Sequence, residues 1–187
     1  MEAWKKKKGL FKGARYQGLF KGARYQCTLE PIEREVLGNL AANISEVLIS
    51  RAQSAPKDEL AELTGMGGGH TEAPEDPGLA RLLPDFEMQG DEEFDGDNSL
   101  LRSLHENDIT RAKLANLQTI GQALGPDGSV FVTVTEEEAQ AWVAGLNDIR
   151  LYLASSEVQD TEDRDALVEW LAFAQESLLT AMMGSLD

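Results

Sequence analysis

From position 31 the apolar residues fall at spacings of three and four: Ile32, Val36, Leu40, Ile44, and Val47 or Leu48. That period lines one face of a helix, and Pro31 suits a first turn, so a helix is predicted from residue 31 to about 51. Residues 57–64 read as a further short helix, closed by Gly65, Gly67, Gly68 and Gly69, which begin a linker. From Glu72 to Asp97 the chain carries ten acidic residues against Arg81, with Pro74, Pro77 and Pro84 among them. The whole arc 65–97 is therefore expected to be a Gly-rich, then acidic loop, mostly solvated. A short apolar island, Leu79, Leu82 and Leu83, is expected to dock it on the body.

Helical spacing returns after Asn98, a suitable cap, with Leu101, Leu104, Ala112, Ala115 and Ile120 as the expected inward face of a helix reaching about Leu124. Gly125, Pro126, Asp127 and Gly128 form a turn signal. Val130, Val132 and Val134 then alternate with Phe131 and Thr133, which predicts a strand near 129–134. A lone strand needs a pairing partner, and the other extended candidates lie near the N-terminus. Thr135 with Glu138 forms a capping box for the next helix, whose stripe is Ala139, Trp142 or Val143, Leu146, Ile149 and Leu153. A last helix follows residues 160–163, with Leu167, Trp170, Leu171, Ala174, Leu178 and Ala181 facing inward. The predicted fold is mainly α: a compact domain of about five helices with a small antiparallel sheet built from the N-terminal segment and the strand near 129–134.

The N-terminal segment has a different character. The nonapeptide GLFKGARYQ occurs at 9–17 and again at 18–26. Two copies are too few and too short for a solenoid. An odd shift of nine also sends Phe11 and Phe20 to opposite faces of any continuous strand. One copy is expected to pair in the small sheet and the other to bulge or extend as a basic arm. The simplest origin of the duplication is a recent event, or an error in the gene's assigned boundaries, that carries no function.

Charge sharpens this division. Of 187 residues, the first 26 hold eight Lys or Arg against Glu2, while the remainder holds nine basic and 32 acidic residues, for a net charge of −16. Residues 1–26 are read as a basic arm or strand, and 27–187 as a single helical domain. An acidic body repels polyanions, so nucleic-acid contact would fall to Lys5, Lys6, Lys7, Lys8, Lys12, Arg15, Lys21 and Arg24, interleaved with Trp4, Phe11, Tyr16, Phe20 and Tyr25. Two bland readings stand beside this one. The aromatics could cover the core while the lysines solvate an edge strand, or the arm could lie on the chain's own acidic arc. No apolar stretch is long enough for a bilayer, and neither a secretory signal nor a disulfide pair is present; a cytoplasmic protein without membrane association is expected.

Catalytic signals are missing. His70 and His105 stand in no metal-ligand spacing, and the Gly65-Met66-Gly67-Gly68-Gly69 run lacks the strand and Lys-Ser/Thr of a phosphate loop. Carboxylates scattered in a loop do not make an acid–base pair. The expectation is a non-enzyme with no metal, cofactor or small-molecule substrate. Arg150, at the margin of a helix stripe, needs an anionic partner and is expected to form a structural ion pair with Asp85 or another acid of the returning arc. Cys27 is the sole cysteine and is either a redox-sensitive thiol, with Arg24 near, or a small core residue.

The order of motifs resembles a known family. The N-terminal basic segment, the string Asp76-Pro77-Gly78-Leu79-Ala80-Arg81-Leu82-Leu83-Pro84-Asp85, the acidic Asp91-Glu92-Glu93-Phe94, and Trp142 with Leu146-Asn147-Asp148-Ile149-Arg150-Leu151 look like the actinobacterial domain-of-unknown-function family numbered 2017. The likeness spans about residues 27 to 184. Because the actinomycete oxidative stress regulator belongs to that family, the resemblance implies transcriptional regulation under oxidative stress, with a sigma factor or RNA polymerase component as partner. That relative's switch is similar to a pair of closely spaced cysteines, which this chain lacks. Sensing here would require sulfenylation, a mixed disulfide or a bridge between two Cys27 thiols, or would be absent. The expected function is thus a cytoplasmic transcriptional regulator acting through promoter DNA, a sigma factor, or both. The alternative is a non-enzymatic adaptor or scaffold that does not bind DNA.

Overall fold

A computed structural model of the chain describes residues 1–7, 22–56, 69–86, 95–125, 129–157 and 161–184. Its elements run β1 (Lys5–Lys7), β2 (Arg24–Thr28), α1 (Pro31–Gln53), α2 (Pro77–Leu82), α3 (Asp95–Leu124), β3 (Phe131–Thr135), α4 (Glu136–Ser155) and α5 (Thr161–Met183). The three strands form one antiparallel sheet in the order β1-β2-β3, joining the N-terminal segment to the later strand as the sequence predicts. The expected short helix at 57–64, the first nonapeptide copy and the turn at 126–128 lie outside the described residues. The end of the second copy, Arg24 to Gln26, pairs in β2.

Local chemistry sets the helix ends. The Thr135 hydroxyl accepts the Glu138 N–H at 3.2 Å, while the Glu138 carboxylate accepts the Thr135 N–H at 2.7 Å, so α4 opens on the expected reciprocal cap. The Asp76 carboxylate accepts the Leu79 N–H at 2.7 Å and, with Pro77 in the first turn, starts α2 within the acidic arc. At the end of α3, Gly125 takes φ +62°, the left-handed conformation that suits glycine. The carbonyls exposed there accept from Arg34 of α1, with Nη2 3.0 Å from the Leu124 oxygen and also bonded to that of Gly125. A cation at a helix C-terminus is favoured by the helix dipole as well.

The core joins one stripe of each long helix to the inner face of the sheet. It contains Leu37, Ala41, Ile44 and Leu48 of α1; Leu117, Ile120 and Leu124 of α3; Trp142, Leu146 and Ile149 of α4; and Leu171, Ala174 and Leu178 of α5. Trp4, Tyr25, Cys27, Val132 and Val134 complete it from the sheet side. The apolar island docks as expected: Leu79, Leu82 and Leu83 are buried, and α2 lies so close to α4 that a Cβ on Gly78 would stand 2.8 Å from the Tyr152 ring.

Two helix faces differ from expectation. Ile32 is 64% exposed, because α1 turns the stripe through Leu37, Ala41, Ile44 and Leu48 to the core. Along α3 before Leu117, Leu104, Ala112 and Ala115 are exposed, whereas Arg102, Glu106 and Thr110 are buried. The rotation is stable because the buried charges find partners: Glu106 accepts from both Arg102 and Arg51. Among the described residues, no helix is long and apolar enough to cross a membrane.

Candidate nucleic-acid interface

Directly opposed residues in a sheet point to the same side, so the register assigns each cation of the N-terminal segment to a face. Lys5 faces Gln26, Lys7 faces Arg24, and these continue to Thr133 and Thr135 of β3; Thr28 faces Phe131. Tyr25, Cys27, Val132 and Val134 occupy the alternate, core-facing positions. The outer face therefore carries Lys5, Lys7 and Arg24 together with Gln26, Thr28, Thr133 and Phe131. Gln26 Nε2 donates to Thr133 Oγ1 at 3.1 Å across this face. A shallow depression of about 380 Å³ includes Glu2, Lys5, Lys7, Thr28, Phe131 and Thr133 in its lining. Glu2 opposes the cations at the rim, where its carboxylate is 3.6 Å from Lys5 Nζ; both side chains are 66% exposed, so the pair is weak.

Lys6 takes the other parity. It stands opposite Tyr25, with Nζ 5.9 Å from that ring, a cation–π contact at the sheet edge. Trp4 meets Trp142 edge-on, with ring centroids 5.2 Å apart. These aromatics serve the core, as the bland reading allowed, while the lysines line an edge strand. The structure thus gathers Lys5, Lys7 and Arg24 on one surface and sets Lys6 apart. Lys8, Lys12, Arg15 and Lys21 lie outside the described residues.

Cys27 sits in the middle strand, 5% exposed. Burial pushes its thiol up to about 12; the chain's amino group opposes this less strongly, and the Glu33 carboxylate adds a smaller push upward. The thiolate, which is the reactive species, is therefore scarce near neutral pH. Cys27 is placed as a core side chain.

The expected pairing of Asp85 with Arg150 is corrected. Asp85 Oδ1 lies 2.7 Å from Arg102 Nη2, and Arg150 Nη2 donates to Asn147 Oδ1 at 3.2 Å. The chain leaving α2 passes over α3 rather than α4: Arg102 Nη1 donates to the Leu83 carbonyl at 3.0 Å, and the Phe86 N–H to Asn98 Oδ1 at 3.0 Å. Arg102 Nη1 also reaches Glu106 at 2.8 Å, and Glu106 accepts from Arg51 Nε at 2.9 Å. A four-membered ion network therefore ties α1, α3 and the returning loop together. Sequence reasoning missed it. The only signal was the i, i+4 spacing of Arg102 and Glu106, which ordinarily marks an exposed pair. His70 is used locally, its Nε2 2.6 Å from the Arg51 carbonyl oxygen.

Residues 12–182 match the family described as a domain of unknown function, DUF2017. The chain belongs to this family. It is similar to the oxidative stress regulator AosR of Mycobacterium tuberculosis (strain ATCC 25618 / H37Rv) and of Mycobacterium bovis, 36% identical over 182 residues in each case, covering 84% of this chain and 82% of the relative. The putative oxidative stress regulator AosR of Mycobacterium leprae is 35% identical over 179 residues, covering 83% and 81%. No solved structure matches.

The strings on which the resemblance rests act as structural fasteners in this chain. Leu82-Leu83-Pro84-Asp85 ends α2 and delivers the Leu83 carbonyl and the Asp85 carboxylate to Arg102. In Leu146-Asn147-Asp148-Ile149-Arg150-Leu151, Leu146 and Ile149 enter the core, and Asp148, 5% exposed, holds Lys113 of α3 at 2.7 Å.

Proposed function

We propose that this DUF2017 protein is a cytoplasmic transcriptional regulator of an oxidative stress response, and that it contacts promoter DNA with the outer face of its sheet. The single observation that carries the reading is the placement of Lys5, Lys7 and Arg24 on one solvated face of a chain whose net charge is −16. A polyanion approaching such a chain is repelled nearly everywhere else, so this face selects the orientation of encounter. The names of the mycobacterial relatives support the regulatory half of the proposal. The protein works by binding, with no catalytic step, cofactor or small-molecule substrate.

Deleting residues 1–26 is a poor test, because it removes Trp4 and Tyr25 from the core. Point variants on the face are better. Binding of a fluorescent DNA duplex to the full chain, followed by anisotropy over a salt series, should give a log–log slope of about −0.9 per phosphate contacted. Lys5→Glu/Lys7→Glu should weaken binding severalfold and flatten the slope. Equal affinity and slope in this variant reject the face.

A second reading, an adaptor for a sigma factor or RNA polymerase component, is favoured by Leu100 and Leu104. These lie one turn apart on α3 and are 57% and 43% exposed. Under this reading Leu104→Asp abolishes association with RNA polymerase holoenzyme and leaves DNA affinity unchanged.

A further inference from the structure

Resting on that reading of the sheet face, we propose that the face prefers single-stranded over duplex nucleic acid, with Phe131 as a base-stacking platform. Phe131 is 73% exposed at the end of the outer row of β3, with the hydroxyl-bearing Thr28 opposite and Thr133 two positions along. A phenyl ring left in water forgoes the stabilisation that burial gives. Its backbone is nevertheless fixed: the Phe131 N–H donates to Ser129 Oγ at 3.2 Å, and that hydroxyl donates to the Phe131 carbonyl at 3.1 Å. The ring is thus presented outward by an ordered strand end.

The cations lie at a useful distance from it. Arg24 stands opposite Thr135, four residues beyond Phe131 along β3, or roughly 13 Å at ~3.3 Å per residue. Lys5 and Lys7 lie on β1, two strand spacings or about 10 Å across the sheet from β3. Between the ring and the cations run the polar side chains Gln26, Thr28 and Thr133. A duplex would meet the cations with its phosphates, but its base faces are occupied by stacking, so the ring would contribute nothing. An unpaired strand offers a free base to the ring and phosphates to the cations together, the combination that single-strand binding surfaces use. Glu2, 3.6 Å from Lys5 Nζ, repels phosphates at that end of the row, so Lys7 is the expected phosphate contact.

The test uses the full chain with fluorescent oligo-dT, oligo-U and a duplex of equal length, at one salt concentration. Tighter binding of either single strand than of the duplex is expected, and the preferred oligomer identifies DNA or RNA as the source. Phe131→Ala should weaken single-strand binding roughly tenfold, within the range for loss of one stacked base, and leave duplex binding unchanged. Phe131→Trp should restore it. Circular dichroism confirms that the variants fold, as the exposure of Phe131 leads one to expect. If Phe131→Ala binds single strands like the native chain while Lys7→Glu weakens them, or if the duplex binds as tightly, stacking is overturned and the polyanion face survives. If the native chain binds none of the three, the underlying reading fails and this proposal falls with it.

Discussion

Replacing Arg102 with methionine tests whether the ion network holds the acidic arc to the helices. Arg102 is 2% exposed and donates to the Leu83 carbonyl, to Glu106 and to Asp85. Methionine fills most of the volume but leaves that carbonyl unbonded and strips Glu106 of one of its two guanidinium partners. Removing one member of a buried ion pair costs about 3–5 kcal/mol when the other charge is left uncompensated. Glu106 keeps Arg51 at 2.9 Å, and Asp85 is exposed enough to turn to water, so the expectation is about 3 kcal/mol. For a chain of this size, that lowers Tm by roughly 6–12 °C. Glu106→Met should cost more, about 4–5 kcal/mol, because two guanidinium groups then face each other across the vacated position. Urea unfolding of both single variants and the double variant gives the coupling, with the double expected to cost less than the sum. Arg51 lies about 30 Å along α1 from its first residue, at ~1.5 Å per residue, and thus far from the β2 end of that helix. Variants that remain folded should bind nucleic acid like the native chain. A loss below about 1 kcal/mol for Arg102→Met would refute the reasoning, since that is all an exposed pair supplies.

Three further outcomes are expected. Cys27 in the folded chain should react with a thiol reagent at pH 8 at least a hundredfold more slowly than in urea, since burial raises the thiol to about 12 from an ordinary value of 9.0. A raised folded value also makes its stabilising contribution full below pH 9.0 and lost as pH rises toward 12, so Cys27→Ala should flatten the alkaline decline in unfolding free energy; equal labelling rates in the two states would sink the burial argument. The Glu33 carboxyl is raised by burial, but the stronger opposing effect of hydrogen bonds from the Met1 amine, the Glu30 N–H and Trp170 Nε1 holds it below its usual 4.5. Its stabilisation is present above that value and lost as pH falls through the folded one, so Trp170→Phe should move acid unfolding to higher pH; an unmoved midpoint excludes the Trp170 bond as a contributor.

The parts of the fold that were legible in the sequence are those whose cause is local. Thr135 and Glu138 cap α4 because the groups that satisfy each other lie three residues apart, and β3 announces itself by alternation. Its partner followed by elimination. The faces of α1 and α3 were harder, because apolar spacing counts what a helix offers and not what packs against it. In the first half of α3 the inward positions hold Arg102 and Glu106, whose burial depends on Arg51, 51 positions before Arg102, and on Asp85. Nothing near residue 102 in the sequence encodes those partners. The candidate face was half legible for a similar reason. Lys5, Lys6 and Lys7 are identical residues with no period, so only the pairing register shows that Lys6 turns to Tyr25 while its neighbours turn outward.

These placements separate residues that build the body from residues that face solvent. Asp85 and Asp148 pair with the cations Arg102 and Lys113 of α3 and hold helices together, so their chemistry supports the fold. The outer sheet face adds no side chain to the core. A redox signal meets a comparable division. With one cysteine in the sequence, an internal disulfide cannot form, and the thiol that exists is sealed beneath β2 in the core. Oxidation of Cys27 would have to follow opening of the sheet, and the same opening would dismantle the face that carries Lys5, Lys7 and Arg24. If the face binds a polyanion as proposed, binding there and oxidation at that thiol would oppose each other.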